Sequence, residues 1–262
     1  MADYESVLLL ASLTFGCAIW GRLIWKLISV HSRVARGSGV GFVAAALLPS
    51  IVLIALALRY LAASDVRPSG QYILMYLCLG LFVTGLNLVA LRVFGFRPAD
   101  ISERGNGAAG IMLVGATLAS ALAYSGANIG DGPGVQVVIF CAALSHAALY
   151  ALVVLHAALA RSSYRILVDR DRGAAVRFSC LAIACGIVLG RAVAGNWISI
   201  GATLADFASL AWIAAVLVVA DAIVARATLA REPGGSMPAD LAIGVGHLAV
   251  AIGFVASKGM PA

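Results

Sequence analysis

Eight apolar runs dominate the chain, at about residues 7–27, 40–62, 72–93, 108–124, 137–159, 178–194, 204–224 and 241–255. Crossing the hydrocarbon core of a bilayer takes about 20 residues of α-helix. In lipid every backbone donor and acceptor must be paired, which leaves helices and closed barrels as the spanning structures. The strict alternation of a barrel strand is absent from these runs. The chain therefore reads as all-α, a polytopic membrane helical bundle of eight transmembrane helices. Charged residues make up 11% of the chain, against about a quarter in soluble domains. A mean hydropathy of +1.01 leaves no room for a sizeable soluble domain. Residues 1–262 are taken as a single transmembrane domain.

A net charge of +6 points towards nucleic acid until the positions are read. Fourteen of the 18 basic residues stand at alternate helix ends. Arg22, Lys26, Arg33 and Arg36 surround the first connection, and Arg92, Arg97 and Arg104 the third. Arg161, Arg165, Arg170, Arg172 and Arg177 surround the fifth, and Arg226 and Arg231 the seventh. The opposite ends hold Arg59, Arg67, Arg191 and Lys258. Lys and Arg are retained on the cytoplasmic side during insertion, so the four basic connections are expected to be cytoplasmic and both termini outside. The basic excess sets topology and contact with anionic lipid at the cytoplasmic loops; no nucleic-acid partner is expected. The acidic start lacks the basic region of a signal peptide.

The same ends suggest an internal repeat. Arg36-Gly37, Arg104-Gly105 and Arg172-Gly173 recur every 68 residues, each just before an outgoing span, and Asn128 and Asn196 repeat the spacing at the far ends. We read four two-helix units, approximately 5–62, 72–128, 135–196 and 203–258. A unit of two spans ends on the side where it began, so all four are parallel, and inverted-repeat transporter architectures are disfavoured. Stripes of small residues, Ala182–Gly186–Gly190–Ala194, Gly115–Ala119–Ala123, Ala242–Gly246 and Ala249–Gly253, are expected to let backbones approach.

One segment, "DISERGNGAAGI" from Asp100, is a polar doorway to a span. Asp100 with Glu103 three residues later has the spacing of a capping box, which starts the helix at Asp100. Gly105 and Gly107 permit close approach, and Asn106 can hydrogen-bond across to a neighbour. The alternative is an anion site, in which helix N-termini and nearby arginines such as Arg104 face a cytoplasmic vestibule. An acidic loop, Gly-Asn and spaced alanines opening a span resemble the domain-of-unknown-function 350 family of bacterial inner-membrane proteins. The resemblance is carried by Asp100, Glu103, Gly105, Asn106 and Ala109, is strong over 72–124 and is weaker over 137–194, where Ala174 replaces the Asn. It implies a multi-pass protein of the bacterial inner membrane and no particular activity.

Charges inside spans are rare and are paired or functional. Arg191 and Asp206 fall at similar depth in adjacent spans, where they would form either a clamp or a gate. Asp221 lies near the cytoplasmic end. His146 and His247 are mid-span, either relaying protons or hydrogen-bonded as neutral rings. Asn87 is either helix glue or a substrate contact. The five cysteines all fall in spans at spacings without a zinc pattern, so neither metal nor cofactor is expected. No Ser–His–Asp or paired-carboxylate set stands in a loop, and "NIGDGPG" reads as a turn; catalysis is not expected. Two function classes follow. One is a channel or transporter for a small ion or solute. The other is a scaffold whose basic loops recruit a peripheral cytoplasmic protein and anionic lipid. A homo-oligomer fits either.

Overall fold

The computed structural model describes residues 3–30, 38–227 and 237–259. Arg33, Arg36, Gly37 and Arg231, used above for topology and repeat, lie outside them. Ten helices are described: α1 Asp3–Val30, α2 Ser38–Tyr60, α3 Gly70–Val93, α4 Pro98–Ser102, α5 Gly107–Gly126, α6 Val135–Ala160, α7 Ser162–Leu167, α8 Arg172–Val193, α9 Ile200–Ala227 and α10 Met237–Lys258. All but α4 and α7 are long and apolar enough to cross a membrane, giving eight spans as the run lengths predict. The protein is a multi-pass helical membrane protein.

The span starts follow from local chemistry. A helix leaves its first N–H groups without internal partners, and a side-chain oxygen at the N-cap satisfies them. Asn106 Oδ1 accepts from the Ala108 and Ala109 N–H groups at 3.0 and 3.2 Å. Asp171 Oδ1 accepts from Ala174 N at 3.1 Å, and Ser69 Oγ from Tyr72 N at 3.3 Å. This corrects the expected start at Asp100. Pro98, with its φ preset for a first turn, opens the separate short helix α4, and Asp100 Oδ2 accepts from Arg97 N at 2.7 Å. Gly105, at φ +59, then breaks the chain direction before Asn106 restarts it.

The spans pack around two central helices. α5 and α8 have 72% and 78% of their most apolar stretches buried, against 22–28% in α1, α2, α6, α9 and α10. α2 lies on α5 and α10 on α8, while α1 pairs with α3 and α6 with α9. The α5–α8 seam is where two of the small-residue stripes meet. A Cβ on Gly186 would stand 2.5 Å from the Ala119 carbonyl oxygen, and one on Gly190 2.6 Å from that of Leu122. Ser179 Oγ also donates to Ile111 O at 3.0 Å. The third stripe departs from expectation. Ala242, Gly246, Ala249 and Gly253 are exposed, with open space beside both glycines, and α10 meets α8 through Gly244 instead.

At the end away from α4 and α7, the connections are tied together. Gly195 N donates to Ile129 O at 2.9 Å, Asp131 N to Asn196 Oδ1 at 2.7 Å, and Ser64 N to Asp131 Oδ1 at 3.0 Å. "NIGDGPG" is part of this turn assembly. Some backbone features recur 65 residues apart, a register three shorter than the Arg-Gly spacing. They are the left-handed Gly105 and Arg170 (φ +59 and +58), the caps Asn106 and Asp171, and the positive-φ Gly130 and Gly195.

Candidate intramembrane polar site

Five titratable side chains from four spans meet in the half of the bundle nearer α4 and α7. Arg177 projects from the second turn of α8. Its Nη1 donates to Asp240 Oδ1 on α10 at 2.7 Å, and its Nε lies 3.2 Å from Asp221 Oδ1 on α9. The other Asp221 oxygen accepts from His156 Nε2 on α6 at 2.7 Å, and His156 Nδ1 is 3.1 Å from Ser162 Oγ at the start of α7. His247 Nε2, from α10, stands 3.7 Å from Asp221 Oδ1. All five are buried, Asp221 completely. A carboxylate in lipid needs partners because solvation is lost, and here a guanidinium, two imidazoles and the helix packing surround it. His247 Nδ1 is buried and has no hydrogen-bond partner among the described residues.

The proposed residues therefore fall into separate places. Asp221 and His247 come together, joined by Arg177, His156 and Asp240. Of these three, Arg177 counts in the sequence among the cations around the fifth connection. It stands near the start of its span, where a cation reads as a topology signal. A Ser162–His156–Asp221 hydrogen-bonded line does exist, with its His and Asp in spans rather than in loops.

His146 is satisfied by its own surroundings. A carbonyl only accepts, so at 2.8 Å from Ala142 O the His146 Nδ1 carries the proton. Nε2 lies 2.8 Å from the Ser120 hydroxyl, so both ring nitrogens have partners. Arg191 and Asp206 are not joined: Arg191 Nε donates to Gly259 O at 3.1 Å, and Asp206 is exposed on α9. The two helix ends bring the α8 arginine to the end of α10, not to α9. Asn87 Nδ2 and Tyr150 Oη are buried without hydrogen-bond partners among the described residues. They line a cavity of about 10 Å³ between α3, α5, α6 and α8, near the smallest space that holds a water.

At the doorway, Asn106 works in two directions. While its oxygen caps α5, its Nδ2 donates to Ile166 O and Leu167 O of α7 at 3.0 and 3.3 Å. Arg104 pairs with Asp100 at 2.9 Å and Arg165 with Asp171 at 2.6 Å. Glu103 is exposed, and Gly105 has open space around it, so its role is its backbone conformation. Among the described residues, no group of three His, Cys, Asp or Glu side chains is placed to hold a metal ion.

A family model described as Domain of Unknown Function (DUF350) matches residues 62–193. The match runs from the start of the α2–α3 connection to the last residue of α8. It includes the Asn106 doorway and both loop helices, and it ends before Asp221, Asp240 and His247. No curated protein and no solved structure gives a match.

Proposed function

Because the chain belongs to the DUF350 family, whose description names no activity, we propose its function from geometry: a non-catalytic membrane scaffold whose basic end recruits an anionic partner. One observation carries this reading. The charges buried inside the bundle pair locally instead of lining a common path, and the cavity at Asn87 reaches neither the Arg177 cluster nor His146. A conduit needs its polar groups to converge on a hydrated route. Catalysis is not part of the proposal, since the Ser162 hydroxyl is buried and serves the His156 ring. In this reading the protein sits in a bacterial inner membrane as parallel two-helix units. The α4 and α7 end faces the cytoplasm, and the termini lie outside.

A second reading is favoured by His247. Ser162, His156, Asp221 and His247 form a line from the α7 end towards mid-span, and the unpartnered Nδ1 terminates it. Such a line could pass or store protons. Proton and cation flux in liposomes carrying the purified chain separates the two. The scaffold reading expects flux equal to that of empty liposomes, for wild type and Asp221→Asn alike. Proton flux that Asp221→Asn abolishes would establish the relay and overturn the scaffold.

A further inference from the structure

A cleft between α1, α3 and α4 has no task in either account above. It encloses about 520 Å³ and is lined by four cations: Arg22 and Lys26 of α1, Arg92 in the last turn of α3, and Arg97 before α4. Glu103 is the single carboxylate in the lining. Arg22 and Lys26 stand four residues apart on one helix, a spacing at which like charges repel, and Arg92 adds a third cation from the neighbouring helix. Among the described residues none pairs with the side chains of these three. The backbone brings Arg97 to the same mouth. Gly95 takes φ +87, and the N–H groups of Gly95 and Phe96 turn back onto the carbonyls of Arg92 and Leu91.

The cleft does not stop at its charged rim. It continues between α1 and α3 as a further space of about 180 Å³, walled by the buried Leu23 and Leu88 and the exposed Val89. Trp25, 71% exposed, stands beside Lys26, and tryptophan at a span end is the residue of the headgroup level. A free anion gains nothing from an apolar slot below its cations. A lipid has both parts, a phosphate for the rim and an acyl chain for the slot.

We propose that this cleft seats an anionic phospholipid, its phosphate held by Arg22, Lys26, Arg92 and Arg97 and one chain lying along Leu23 and Val89. The proposal rests on the basic end invoked by the scaffold reading and names one ligand and its seat there. The test is native mass spectrometry of the delipidated full chain, titrated with phosphatidylglycerol or with phosphatidylcholine. The variants are Arg22→Gln/Lys26→Gln/Arg92→Gln and a charge-matched control, Arg161→Gln/Arg170→Gln/Lys258→Gln. The expected result is retention of phosphatidylglycerol over phosphatidylcholine, weakened on the order of 100-fold by the cleft variant and little by the control. Equal retention of the two lipids, or equal weakening by both variants, would overturn the site. Glycerol phosphate binding as tightly as the lipid would also overturn it, because the apolar slot would then contribute nothing. These outcomes leave the flux comparison untouched, so the scaffold reading stands or falls separately.

Discussion

Arg177 and Arg191 sit on the same helix, yet they make opposite demands on the fold. Arg177 is buried among two carboxylates, and its charge is stable there only while Asp221 and Asp240 face it. Truncating it leaves those carboxylates buried without their cation, so Arg177→Ala is expected to destabilise the protein by about 3–5 kcal/mol. Arg191 is half-buried at the span end and holds one carbonyl. Arg191→Ala should cost less than about 1 kcal/mol. Unfolding of both variants in mixed micelles checks the contrast, and equal losses would mean that the Arg177 cluster is hydrated rather than closed. The cluster was half legible beforehand. Asp221 and His247 stood out as ionisable groups inside spans. Arg177 and Asp240 did not, because a charge near a span end reads as a topology signal until its neighbour 63 residues away is known.

The helices raise the same issue of partner choice. A four-residue spacing of small side chains predicts a face that can approach another helix, but not whether one comes. Gly115, Gly186 and Gly190 meet their partners across the α5–α8 seam; Gly246 and Gly253 on α10 meet nothing among the described residues. A methyl added at Gly186 must push against the Ala119 backbone 2.5 Å away. Gly186→Ala is therefore expected to cost about 1–3 kcal/mol by overpacking. Gly246→Ala places its methyl in open space and gains helix propensity, so stability should be unchanged or raised by up to about 1 kcal/mol. Thermal unfolding of both variants in one detergent reads the difference. Loss of stability at Gly246 would show that a second chain covers this face of α10. The doorway shows a comparable limit. Its residue types announced a cap, yet Asp100 and Asn106 both offer a cap oxygen, and the left-handed Gly105 between them decides that Asn106 starts the span.

For the whole molecule, the length of the apolar runs was enough to give eight spans, because lipid leaves a helix few other solutions. Their arrangement was not readable, since α5 against α8 and α6 against α9 depend on faces that no run length encodes. Orientation is a separate matter and rests on charge. The α4 and α7 end carries the arginines of the loops, and the other end has Arg59, Arg67, Arg191 and Lys258. With cations retained inside during insertion, Glu103 and Gln136 should lie on opposite sides of the membrane, inside and outside respectively. Both are exposed, and α5 separates them. The native cysteines all lie within spans and give little background to a membrane-impermeant maleimide. In right-side-out vesicles Gln136→Cys should label and Glu103→Cys should not; in inside-out vesicles the pattern should reverse. The opposite pattern would invert the orientation while keeping the bundle. Labelling of both positions from one side would mean that α5 does not cross, and the packing of α8 against it would have to be abandoned with it.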